Sequence, residues 1–340
     1  MSSVPPSPLV PEEIAGDATW LAQALDPAAG VVRLIAMDRD SYRAASFLDD
    51  RMLQQPVNAQ VLPWPQVEEA LAGNLRADAR WIFHIGHVGS TLVSRLLGEL
   101  GGVLAVREPR ILRDLALCPP DVRQSYLPPI AKLMSRTFGD DEVVCVKATS
   151  FVSEIAPQLV PPGERAVFMY ATPCNYIASI LAGENSVVEL RQLAPSRAQR
   201  LGRRISVLGA GHNDAELAAI AWACEMSALE AAADAMTDRE IAWADFDAML
   251  TDMPAELARV SAFFGFQAPQ DRLHVIATGP LTTRYSKAPE YDYSAGLRRD
   301  LIAGASATHR EDIDGALAML RSAAEKSPLL ARSLARAGEA

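Results

Sequence analysis

A chain of 340 residues with 49% hydrophobic content is long enough to bury one large core or two smaller ones. Its formal net charge of -10 and pI near 5.1 oppose a polyanionic partner, so nucleic acid is not expected unless basic residues cluster, as they do locally at 107–113 and 191–204. The four cysteines, Cys118, Cys145, Cys174 and Cys224, are widely separated and form no CxxC pair, which argues against a disulfide framework or a cysteine zinc site.

Residues 1–13 lack the basic start and apolar run of a secretory signal, and no apolar stretch is long enough to cross a bilayer, so no membrane association and a cytoplasmic location are expected. Residues 1–11 carry four prolines and little apolar content, the composition of a disordered arm. Residues 12–79 read as an N-terminal helical or mixed subdomain: 14–25 has a helical pattern, 31–37 suits a strand, and 67–75 is a second short helix.

From residue 80 to 340 the pattern is that of a single α/β domain with a helical C-terminal tail. Short apolar runs at 81–85, 103–106, 143–146, 166–170 and 241–243 alternate with longer amphipathic segments. Strands that short and apolar are buried on both faces, which predicts a doubly wound parallel sheet with flanking helices. Helices are predicted over 214–235, after a capping Asn213, over 253–264, and through the tail 310–337.

The first strand runs into Gly86, His87, Val88, Gly89, Ser90 and Thr91, and then into the helical LVSRLL of 92–97. Two glycines allow a tight turn that aims successive N–H groups inward, and Ser90 and Thr91 open a helix whose positive end favours phosphate. The loop is not the Walker A pattern GxxxxGK(S/T), because the glycine spacing is shorter and the lysine is missing. An ordinary strand-to-helix turn containing two glycines has the same local pattern.

The stretch FHIGHVGSTLVSRLL of 83–97 resembles the 5'-phosphosulfate loop of the sulfotransferase family, usually PRSGTT or PKSGTT followed by a leucine-rich helix. His87 falls where that family has Arg or Lys, and Gly89, Ser90 and Thr91 match its GTT or GST. In YATPCNYIASIL, 170–181, Pro173 and Ser179 keep the spacing of the family's RDPxxxxxS element, with Ala171 in the arginine position and Thr172 in that of the aspartate. Trp222 with IAWADF at 241–246, and FFGF at 263–266, are similar to further family elements, and a distal Tyr285, Ser286, Lys287 loop is placed to close over the donor.

The resemblance implies a P-loop NTPase-like sulfotransferase fold and a nucleotide-binding transferase that takes 3'-phosphoadenosine 5'-phosphosulfate (PAPS) as co-substrate. Such an enzyme passes the sulfuryl group, without a metal, to a hydroxyl or amine of a small-molecule or peptide acceptor. It implies donor contacts from Gly86 to Thr91, from Ser179 to the 3'-phosphate, and from Lys287. Arg191, Arg197, Arg200, Arg203 and Arg204 are candidates to replace the absent arginine, although their run also reads as a mobile lid or a solvated face.

Sulfuryl transfer needs a cation, loop donors and a base. Glu108 follows the second strand of the parallel sheet, at an edge that opens onto the cleft, and is the leading general base; the alternative pairs it with Arg107 or Arg110 on the surface. Lys147, at the end of the next strand, is placed to reach the sulfate or the leaving phosphate. His87 is a candidate cation or base, and His84 a structural histidine. Two other readings stay open: a P-loop kinase using ATP, with Lys147 and Asp245 as loose substitutes for its usual groups, and a non-catalytic nucleotide-binding descendant of the fold. Neither the acceptor nor the oligomeric state is encoded in these motifs.

Overall fold

The computed structural model describes residues 9–286 and 290–338. The expected arm therefore falls almost wholly outside the described residues, but Pro11 already opens a short helix, Pro11–Ala15, and Leu9 is buried. After it come three antiparallel strands in the order β1 (Trp20–Asp26), β2 (Val31–Ala36) and β3 (Ala59–Pro63). The expected helix over 14–25 is mostly wrong, since all of it beyond Ala15 is turn or strand. Trp20 to Leu25 are all buried, with helix Arg110–Leu117 packed against β1, so the strand has no polar face to show a period of two. The helix expected at 67–75 starts and ends earlier, as Trp64–Ala70.

The main sheet has five parallel strands: β4 (Arg80–His84), β5 (Val103–Arg107), β6 (Val143–Lys147), β7 (Arg165–Tyr170) and β8 (Glu240–Asp245). Their order, β5-β6-β4-β7-β8, places β4 at the centre, between β6 and β7. Helix Ser90–Leu97 lies against β4, β5 and β6, and helix Met253–Phe264 lies against it and β7; helix Asp214–Ala235 packs on Ser150–Ile155 and Pro173–Leu181 across the sheet. This is the doubly wound α/β arrangement that the apolar runs predict.

Two predicted helices have sharp ends with visible causes. The Asn213 side chain accepts a hydrogen bond from the Glu216 amide and starts Asp214–Ala235; Gly265, at φ 77°, ends Met253–Phe264 in the left-handed conformation that glycine adopts without strain. The tail is helical but divided, into Arg310–Ala324 and Pro328–Arg336, and it is preceded by a further helix, Ala295–Thr308, that is not among the predicted ones. One apolar cluster runs from Ile14 and Leu34 through Phe83 to Leu330, so the N-terminal sheet and the tail share the main core.

That core holds titratable groups in neutral form. Burial pushes the thiols of Cys145 and Cys224 and the phenol of Tyr176 up to about 12. An acid whose folded pKa lies above its unfolded value stabilises the fold below the unfolded pKa, and that contribution is lost as pH rises through the window between the two. Stability should therefore fall steadily as pH rises from near 9, the ordinary thiol value, towards 12. Urea melts across that range test it; a flat or rising midpoint would contradict the burial of these groups.

Candidate functional site

The carboxyl ends of β4, β5 and β6 open into a cleft of about 320 Å³. Its floor is the turn from Gly86 to Thr91. Gly86 and Gly89 have φ of 85° and 60°, and His87 between them is held at 53°. An alanine Cβ at Gly89 would lie within 2.6 Å of three atoms of the Phe246 ring, so only glycine fits under that ring. The turn is braced from below by His84, whose Nδ1 accepts a 2.9 Å hydrogen bond from the Gly86 amide. Ser90 and Thr91 then begin the helix, both buried at the cleft floor.

Glu108 and Lys147 meet above this turn. The Lys147 ammonium is buried, donates to a carboxylate oxygen of Glu108, and donates to Thr91 Oγ1 at 3.1 Å. His84 Nε2 is 3.8 Å from the same Glu108 oxygen, and Arg51 from the N-terminal subdomain approaches the other at 3.8 Å. Parallel register explains the meeting: Arg107 pairs with Lys147 across β5 and β6, and the Glu108 amide donates to the Lys147 carbonyl at 2.7 Å.

Glu108 is held at φ 51°, and it and His87 are the two non-glycine residues with left-handed backbone among the described residues. Such conformations cost about 1–3 kcal/mol and persist where the surroundings over-determine them, most often at functional sites. The surface pairing of Glu108 with Arg107 or Arg110 is not formed. Arg107 turns to the carbonyls of Tyr42, Arg43 and Ala45, and Arg110 is bound by Asp50 and Asp114.

The other predicted donor contacts are placed as follows. His87 lines the cleft with its ring edge-on to Tyr176, centroids 6.2 Å apart, and Val88 is buried beneath the turn. Ser179 lines the cleft while its hydroxyl donates to the Tyr176 carbonyl at 2.8 Å, the back-bonding usual for serine in a helix. Lys287 lies outside the described residues. Asp245, offered as a kinase-type acid, accepts from the Asp247 amide at 2.9 Å and caps the helix that follows it.

The arginine run does not supply the absent cation. Helix Glu184–Gly202 turns Arg197, Arg200 and, just beyond it, Arg204 inward, away from the cleft. Arg197 and Arg200 pair with Glu225, a carboxylate only 1% exposed, and Arg204 pairs with Glu154. Arg191 is taken by Asp214. A buried carboxylate requires paired cations, so Arg197 and Arg200 are committed to the fold, while Arg191 and Arg203 lie on the exposed face of the run.

A cation reaches the cleft instead from Ala295–Thr308, a helix packed on Pro173–Leu181. Arg298 Nε donates to Asp247 at 3.0 Å, its guanidinium sits 5.0 Å from the Phe246 ring centroid, and its Nη2 is buried without a hydrogen-bond partner among the described residues. Tyr293 lines the same wall, its phenol pushed up to about 12 by burial. Phe246 is accessible to sequence reasoning because it follows a strand end. Arg298 is not: it stands over a hundred residues from the loop it faces, with no local pattern to mark it.

Among the described residues no group of three or more His, Cys, Asp or Glu side chains is arranged to hold a metal ion, and no helix is long and apolar enough to cross a membrane. No family model matches the chain, and no curated protein matches it. Among solved structures it is similar to the "Sulfotransferase Domain from the Curacin Biosynthetic Pathway", at 10% identity and a TM-score of 0.41, over 66% of this chain and 87% of that one.

Proposed function

We propose that this chain transfers a sulfuryl group from PAPS to a hydroxyl or amine of a small-molecule or peptide acceptor, with Glu108 as general base. The observation that carries the reading is the convergence of a buried carboxylate and a buried ammonium on Thr91, at the mouth of a glycine turn that opens a helix. The donor is a substrate and supplies the sulfuryl group. The new bond joins sulfur to the acceptor oxygen or nitrogen, the bond to the donor's phosphate oxygen breaks, and adenosine 3',5'-bisphosphate leaves with the electron pair.

The residues present suit such a donor. The turn from Gly86 to Thr91 offers amides and two hydroxyls to the phosphosulfate, and an added Cβ at Gly86 would meet nothing within 4 Å, leaving room for close approach to the backbone. Lys147 neutralises charge that develops on the bridging oxygen, and Glu108 takes the acceptor proton. Arg298 receives the 3'-phosphate, joined by Ser179 once its hydroxyl turns from the Tyr176 carbonyl, so the cation lost at Ala171 is replaced from the far end of the chain. A kinase reading is less well supported, since Lys147 comes from a strand, is engaged with Glu108, and Asp245 is used as a helix cap.

Calorimetry tests the donor. Adenosine 3',5'-bisphosphate should bind, and adenosine 5'-monophosphate should bind about tenfold or more weakly for want of the charge-assisted contact. Arg298→Met should erase that preference while the protein remains folded. Tighter binding of ATP than of the bisphosphate would overturn the assignment.

A further inference from the structure

Behind the catalytic strand end, on the side away from the cleft, lies a second cavity of about 40 Å³ lined by Arg39, Arg43, Arg95 and Arg107. In a chain of net charge -10, four guanidiniums around a space large enough for a small ion but too small for a nucleotide call for an explanation. Arg39 is accounted for by its pair with Glu142. The other three are not balanced in this way.

Arg107 is 1% exposed, and its hydrogen bonds go to the main-chain carbonyls of Tyr42, Arg43 and Ala45. Arg95, half-buried in the last turn of helix Ser90–Leu97, donates to the carbonyls of Ser286 and Ala44. Arg43 is exposed at the rim and makes no ion pair among the described residues. The carbonyl oxygens engage Nε and Nη2 of Arg107 and one N–H on each Nη of Arg95, which leaves further N–H groups of both guanidiniums and the whole net charge in place. Burial pushes the Arg107 guanidinium down to about 10, with repulsion from Arg95 adding to it. Glu99 also lines the cavity and attracts both, but forms no ion pair with either.

We propose that this cavity binds a tetrahedral oxyanion, sulfate or a phosphoryl group, between Arg43, Arg95 and Arg107. Guanidinium forks suit such oxygens, and one dianion cancels most of the unbalanced charge. The site is separate from the cleft but adjoins it through the chain: Arg107 precedes Glu108, and Arg95 holds the Ser286 carbonyl at the cleft wall.

The test is titration of the full chain with sodium sulfate, sodium phosphate and phenyl phosphate, each against sodium chloride at matched ionic strength. It is followed by melting temperature and by heat, in the parent and in Arg43→Glu. Arg43 is exposed and makes no ion pair among the described residues, so the variant should fold, and because its carboxylate faces Arg95 and Arg107 it should melt in chloride no lower than the parent. Sulfate or phosphate should stabilise the parent and bind Arg43→Glu about tenfold or more weakly. Binding of both inorganic ions supports a free anion as ligand, and binding of phenyl phosphate alone supports the phosphoryl group of an organic molecule.

Selenate soaked into crystals then locates the ion by its anomalous signal. An equal response in parent and Arg43→Glu, or selenate at the Gly86 to Thr91 turn and absent from the arginines, would overturn the proposal. Selenate at the turn would agree with the donor assignment, which is tested separately by adenosine 3',5'-bisphosphate in the cleft, so the two proposals fail independently.

Discussion

Glu108→Gln should leave the chain folded and able to bind adenosine 3',5'-bisphosphate, while lowering turnover of PAPS by about 10²–10⁴-fold, the usual contribution of a positioned general base. The amide keeps the shape of the side chain and an oxygen for the Lys147 ammonium, so the buried cation retains a partner. What it loses is the capacity to accept a proton. Release of the bisphosphate, followed with a panel of hydroxyl and amine acceptors and with water alone, reports the effect. Lys147→Met is the contrasting change: it takes the ammonium from a carboxylate whose side chain is 11% exposed, and removal of one partner of a buried pair costs about 3–5 kcal/mol. Unaltered turnover in Glu108→Gln would remove the glutamate from the mechanism, whereas bisphosphate binding with no turnover in the parent would favour a binding module that keeps the fold.

The second large effect belongs to Gly89→Ala. The new methyl would overlap the Phe246 ring, and the residue would have to hold φ 60°, a conformation that costs an L-residue roughly 1–2 kcal/mol before any clash. The turn must shift, and a displacement of about 1 Å in a positioning element costs about 10²-fold in function. Affinity for the bisphosphate should fall by that order. Phe246→Ala removes the overlap, so in a double-mutant cycle the pair should be coupled by about 0.5–3 kcal/mol in denaturant melts, the double variant losing less than the sum of the singles. Strict additivity would mean that ring and glycine do not share the space.

Much of the main domain is legible in the sequence because local chemistry and tertiary environment agree there. The five parallel strands are short and apolar because both faces are covered, and Asn213 and Gly265 mark helix ends by hydrogen bonding and backbone freedom that act within a few residues. The Gly86 to Thr91 turn, Glu108 and Lys147 are legible for the same reason, as strand ends of a parallel sheet face one cleft.

The failures have a common cause in distance along the chain. Trp20 to Leu25 look helical because alanine and leucine favour helices, and the cover that Arg110–Leu117 gives β1 comes from far downstream. The run from Arg191 to Arg204 looks like spare positive charge because its demand, buried Glu225, lies in another helix. Arg298 faces the cleft only because Ala295–Thr308 docks on Pro173–Leu181.

The central position of β4 has a consequence for how the protein is made. The first strand of the main sheet pairs with β6 and β7, never with β5, the next strand in the chain. On a ribosome, β4 can be paired along both edges only once Tyr170 at the end of β7 has emerged. Long-range parallel pairings of this kind close slowly and expose sticky intermediates. A ligand held by the turn of the assembled sheet therefore stabilises the native state by mass action and favours completion of the sheet.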